Sequence, residues 1–264
     1  NICKMEIRRK ILNDMYYNTE LRKAIAFSLF IKTRVKSSAV QRWSINKLHE
    51  ITGVSACAVR KRIDTLKALD LVEFTGKNNR CLVFKSLKSH TSHRNVIVPN
   101  IEFISKNDSK KNAYAQNVKF IEDTLSAMLI IDVQNRKNYA KQMIQQSKHP
   151  KGLKELKAAK KACNRFGYGD KFRENGISYK YIAKKLSVSV QKAFDLVKFA
   201  VKNEILCKYR NIEKRFLSSI DYIKDMILNN YTYIKGGVIC RVYANTYEVK
   251  SGSPLARFAG MVYN

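Results

Sequence analysis

Two stretches of the chain repeat one pattern of apolar, turn and capping residues at an offset of 134, the distance from Ser55 to Ser189. A pattern written twice limits the architecture more than any single motif does. In the first stretch Ile45, Leu48 and Ile51 lie three apart, one apolar stripe of a short helix with Ser44 available as its N-cap. That helix ends at Gly53, a residue suited to the left-handed conformation at a helix C-terminus. Val54 can fill the corner and Ser55 can cap the next helix, whose inward stripe runs through Val59, Ile63 and Leu66 and on to Leu69 and Leu71. In the second stretch Leu48 falls on Ile182, Val54 on Val188, Val59 on Ala193, Ile63 on Val197, Leu66 on Ala200 and Leu71 on Ile205. Every core slot stays apolar and the cap stays serine. Gly53 becomes Ser187, which leaves the geometry of the second turn open.

The residues beyond each turn specify a module. In the first, Cys57, Arg60, Lys61, Asp64 and Lys67 lie away from the apolar stripe and give the helix a cationic outer face. The following "LVEFTGKNNRCLVFKSL" alternates around a Gly/Asn turn, the pattern of a short antiparallel hairpin with Lys77 and Arg80 at its tip. An amphipathic segment from Glu20 to Val35 supplies a preceding helix. Helix, turn, helix and hairpin together make a winged helix-turn-helix, in which the second helix of the turn enters the DNA major groove and the wing lies beside the backbone. On the second copy Gln191, Lys192, Asp195 and Lys198 take the outer face. Gln suits adenine and Lys suits guanine or phosphate. "YTYIKGGVICRVYANTYEV" reads as a hairpin about Gly236-Gly237 that carries Lys235 and Arg241. Residues 89–114 have linker composition, with strand character in "NVIVPNIEFI", and Phe120, Leu125, Met128 and Leu129 mark a helix supporting the second module. A lysine-rich helix, Leu153 to Asn164, is a further candidate for phosphate contact. The expected fold is mainly α with small β wings, of α+β type: two tandem winged helix-turn-helix domains related as an internal repeat, residues 1–88 and 115–264.

Charge points to the partner. Fifty-one Lys and Arg against 21 Asp and Glu give a net charge of +30, spread over both halves rather than held in a tail, and such an excess attracts a polyanion. Six cysteines stand singly without a C-x-x-C pair, which suits reduced thiols in a cytoplasmic setting rather than disulfides or zinc. No apolar run is long enough to span a bilayer, and the opening residues mix acids with cations, so neither a membrane association nor a secretory leader is expected. No catalytic set emerges. The only Gly-x-Gly, at Gly167, lacks the Lys-Ser/Thr of a phosphate loop, and His90 and His93 lie in a polar segment with no partnering ligands. The expectation is a non-enzymatic protein with no metal and no cofactor.

Two such modules in a basic chain of this length resemble the iteron-binding plasmid replication initiators and the related phage replication organisers. The resemblance is one of architecture, over residues 20–88 and about 115–250. It implies recognition of repeated origin sites in double-stranded DNA, in some members as a homodimer, and recruitment of a helicase or helicase loader. By matching positions it assigns DNA contact to Ser55, Arg60, Lys61, Ser189, Gln191 and Lys192. Cys57, Lys77, Arg80, Lys198, Lys235 and Arg241 complete the expected contact set from the outer faces and hairpins. Two other readings use the same residues: a winged-helix transcription regulator, and a virion-packaged or nucleoid-type basic protein that coats nucleic acid without reading it.

Overall fold

The computed structural model describes residues 6–35, 37–88, 95–98, 111–146, 176–216, 232–235 and 238–249. They form a mainly helical fold with small antiparallel sheets. Two compact units share the chain: the first takes the described residues up to Leu129 together with Ile182–Ile205 and Val249, the second those within Ile130–Tyr181 and Leu206–Glu248.

The first unit opens with strand β1 (Glu6–Arg8), helix α1 (Arg9–Asp14) and helix α2 (Thr19–Arg34). Asn18 caps α2, its side chain accepting the Leu21 amide at 2.9 Å. Leu21 to Ile31 is buried on almost every side, as a helix apolar all round must be, and α2 is the centre of this core. Strand β2 (Ala39–Gln41), helix α3 (Ile45–Thr52), helix α4 (Ala56–Ala68), strand β3 (Val72–Thr75) and strand β4 (Cys81–Phe84) follow. The sheet order is β2-β4-β3, so the last strand sits in the middle; Val72 faces Phe84, Thr75 faces Cys81 and Ala39 faces Val83. Phe84 meets Phe27 of α2 edge-on at 6.3 Å, which joins the sheet to the core. Strand β5 (Asn95–Ile97), inside the expected linker, pairs antiparallel with β1.

The turn between α3 and α4 takes the form its residues dictate. Gly53 is left-handed at φ 66°, its amide donates to the His49 carbonyl at 2.7 Å, and Val54 is buried in the corner. Val59, Ile63, Leu66 and Leu71 are buried, but Leu69 is 45% exposed, contrary to the inward stripe. The helix has ended by then. Asp70 turns left-handed at φ 53°, and this rotates Leu69 out while returning Leu71 to the core.

Helix α5 (Lys111–Gln146) contributes its first part to this unit, with Ile121, Leu125, Met128 and Leu129 buried and Phe120 against Phe199 at 5.2 Å. Helix α6 (Tyr179–Leu186) and helix α7 (Val190–Lys202) have the bounds of α3 and α4 displaced by the same 134 residues, Ile45 to Tyr179 and Ala56 to Val190. Strand β6 (Leu206–Tyr209) repeats β3 at that offset as well. Both left-handed positions recur: Ser187 at φ 49° stands for Gly53, and Glu204 at φ 57° for Asp70.

In the second unit β6 pairs with strand β10 (Thr246–Val249). Between them in sequence come strands β7 (Ile212–Phe216), β8 (Thr232–Lys235) and β9 (Val238–Val242), which form a separate sheet in the order β7-β9-β8. β8 and β9, the strands of the expected hairpin, pair antiparallel up to Lys235 opposite Val238, while Gly236 and Gly237 lie outside the described residues. The partner of β6 is therefore not that hairpin but the strand beyond it. Asp132, fully buried on α5, holds Arg136 at 2.6 Å, and Gln134 accepts the Tyr247 amide at 3.4 Å. Gly176 lies so close to the chain at Ala244 that an added Cβ would stand 1.9 Å from the Ala244 carbonyl oxygen.

Candidate nucleic-acid interface

Helix α4 presents a cationic face. Ser55 caps it by accepting the Ala58 amide at 3.4 Å, and Ser55, Cys57, Arg60 and Lys61 are all exposed along its first half. Arg62, the third of three consecutive cations, turns the other way and lies 5.6 Å over the Phe27 ring. Burial lowers its pKa, against the opposing pull of Glu122 and Glu20. Two cations thus face solvent while the third braces α4 on α2. Lys67, at the far end of α4, sits 5.7 Å over the ring of Phe74.

The hairpin between β3 and β4 has a tight tip. Gly76 at φ 78° is followed by Lys77, then by Asn78 and Asn79, both left-handed at φ 60° and 54°, a conformation asparagine tolerates better than most residues. Lys77 and Arg80 are exposed on this tip. Trp43 fastens it: the indole Nε1 donates to the Asn79 carbonyl at 2.8 Å, the Trp43 amide donates to the Arg80 carbonyl at 3.2 Å, and the indole packs 5.2 Å from Phe74. Exposed Arg42, left-handed at φ 47°, stands beside it in the chain. Lys47 donates to the Gln41 carbonyl at 2.6 Å. Arg42, Trp43 and Lys47 do not figure in the expected contact set; the signal for them was a lone tryptophan next to an arginine just ahead of a helix cap.

Against this geometry no protein-family model, curated protein or solved structure matches the chain. The interface stands on its own residues.

Helix α7 differs in chemistry from α4. Ser189 caps it, accepting the Lys192 amide at 3.1 Å. Gln191 is exposed, with its amide nitrogen on Asp195 at 3.2 Å, and Lys198 is exposed. Lys192 is half-buried and ion-paired: its ammonium lies 3.2 Å from Asp123 on α5, which also takes Lys119 at 3.3 Å. Val190 and Phe194 add exposed apolar area to the outer face, 51% and 42% exposed. Its first half therefore offers an amide, a carboxylate and apolar groups where α4 offers Arg60 and Lys61. Lys235 is exposed on β8 in the second unit. Arg241 lies in β9 opposite Glu213, its side chain outside those described.

Among the described residues no three His, Cys, Asp or Glu side chains gather to hold a metal ion, and no helix is long and apolar enough to cross a membrane. Cys57, Cys81, Cys207 and Cys240 are free thiols, Cys57 exposed. His90, His93, Gly167 and the lysine-rich stretch from Leu153 to Asn164 lie outside the described residues.

Proposed function

We propose that the chain binds double-stranded DNA sequence-specifically through two winged helix-turn-helix modules, and that it initiates or organises replication of a plasmid or phage. The observation that carries the reading is Arg60 beside Lys61 on the exposed first half of α4, the half of a recognition helix that meets base edges. Lys77 and Arg80 on a tip held by Trp43 add the backbone contacts expected of a wing. The helix, strand, helix, helix, hairpin order and the central place of β4 support the first module. The shared bounds and caps of α3-α4 and α6-α7 support the second. The net charge of +30 supplies attraction for phosphate. The role in replication rests on the architectural resemblance, with a helicase or its loader as the protein partner.

Two recognition helices on one face of a duplex read two blocks about 10 base pairs apart, roughly 34 Å. Neutralising six to ten phosphates lowers affinity about 10³- to 10⁵-fold between 50 and 200 mM salt. The test is fluorescence anisotropy on duplexes recovered from a random pool at physiological salt. Arg60→Ala is expected to cost about 1–3 kcal/mol and relax one base position, whereas Lys77→Ala weakens every sequence alike and reduces the salt slope by about one. No recovered preference, together with tight binding at low salt, would replace this reading with that of a non-specific coat. Recovered sites beside a single promoter rather than repeated in an origin would make the protein a transcription regulator.

A further inference from the structure

We propose that the N-terminal segment of the first module builds the turn of the second, so that Tyr17, Thr19 and Arg22 aim α7 and the two outward helices read DNA as a fixed pair. This rests on the DNA-binding reading above and adds to it the residues that set the geometry of the second reader.

The argument starts from the missing glycine. The last carbonyls of any helix have no partner within it, and a left-handed non-glycine residue costs roughly 1–2 kcal/mol. The α3-α4 turn answers them locally, with the Gly53 amide closing on the His49 carbonyl at 2.7 Å and glycine itself at the left-handed position. The α6-α7 turn has Ser187 in that conformation, and three successive carbonyls around it are taken by one distant segment. The Tyr17 amide donates to Lys185 at 3.0 Å, the Arg22 guanidinium to Leu186, and the Thr19 hydroxyl to Ser187 at 3.4 Å. Arg22 is 1% exposed and also donates to the Met15 carbonyl and the Thr19 hydroxyl, both at 2.9 Å. Its Nε is buried without a partner, and each further acceptor lost would leave more of the charge unsolvated. Its position at the C-terminal end of α6 also suits the helix dipole.

Thr19 and Arg22 lie in the first turn of α2 and Tyr17 just ahead of its Asn18 cap, and α2 is the helix on which α4 rests through Arg62 and Phe27. On its other side α7 is tied to α5 by Lys192 with Asp123 and by Phe199 with Phe120. All of these residues lie in the first compact unit. Both outward helices therefore take their bearings from α2, and the spacing between their DNA blocks is built into one core rather than left to a tether.

The test repeats the selection from a duplex pool with a randomised central tract, using the full chain and variants. Arg60→Ala identifies the block read by α4. Wild type is expected to recover two blocks at a single spacing. Arg22→Gln, and the milder Thr19→Val, are expected to lose enrichment of the second block or spread its spacing while the α4 block persists; Ser187→Gly in the Thr19→Val background restores it. A residue that merely stabilised the fold would weaken both blocks together, and that result overturns the proposal. So do two wild-type blocks at variable spacing, or one block alone, both of which leave DNA reading by α4 intact. No wild-type enrichment of any kind removes the DNA-reading function itself, and the proposal with it.

Discussion

Exchanging the two turn residues, Gly53→Ser and Ser187→Gly, should move stability in opposite directions. Both positions are left-handed, φ 66° and 49°, where a side chain costs roughly 1–2 kcal/mol of native strain. Against this, glycine gives the unfolded chain extra freedom worth about 0.4–1 kcal/mol. The difference leaves Gly53→Ser destabilised by about 1 kcal/mol and Ser187→Gly stabilised by a similar amount. Thr19 contacts the Ser187 carbonyl rather than its hydroxyl, so the second exchange removes none of the bonds that hold that turn. Each change corresponds to a shift of about 2–4 °C in Tm for a unit of this size. Urea unfolding followed by circular dichroism gives the overall stability, and Trp43, the only tryptophan, reports the first module separately. Two shifts of the same sign, or a loss of stability in Ser187→Gly, would refute the claim that the two turns share a backbone and differ only in how they support it.

Asp123→Asn should release Lys192 from its ion pair, and the salt slope of DNA binding, measured by anisotropy, should steepen by about one; an unchanged slope means Lys192 does not reach phosphate. Lys32, whose ammonium donates to the Lys85 carbonyl, has its pKa pulled by burial from 10.5 to about 8. Between those values the unfolded chain holds a proton that the folded one has released, so this group makes stability rise with pH across that window, by up to about 3 kcal/mol. The Lys32→Met variant, unfolded in urea at both ends of the window, should lack that part of the rise. Gly176→Ala should cost about 1–3 kcal/mol or more in the same assay, since its Cβ would overlap the Ala244 carbonyl; a neutral result would mean that the backbone there moves freely.

Local pattern carried most of what the sequence disclosed. Caps, turn glycine and apolar spacing placed α3, α4, α6 and α7, because each depends on residues within one or two turns of helix. Leu69 was misplaced because periodicity does not register where a helix stops; the left-handed Asp70 decides that. The partner of β6 was hidden by distance, since three other strands of equal β character intervene before β10. Arg22 looks like any surface cation in sequence, and the Leu186 carbonyl that it meets in the core comes from 164 positions away. Lys192 was legible as a cation on an outer face but not as the partner of Asp123, a pairing that required knowing which helix lies alongside.

The bond from Thr19 to Ser187 spans 168 residues, while Trp43 reaches Asn79 across 36. Closing the longer loop costs about 1.4 kcal/mol more in chain entropy, and contacts so remote slow folding. During synthesis the β3-β4 hairpin can close as soon as its own residues have left the ribosome. The start of α2 has to wait for residue 187, with the Arg22 guanidinium short of an acceptor until the Leu186 carbonyl arrives. Thr19 and Arg22 are thus made long before their final partners, and a ribosome stalled before α6 would hold a finished β3-β4 hairpin on an unfinished core.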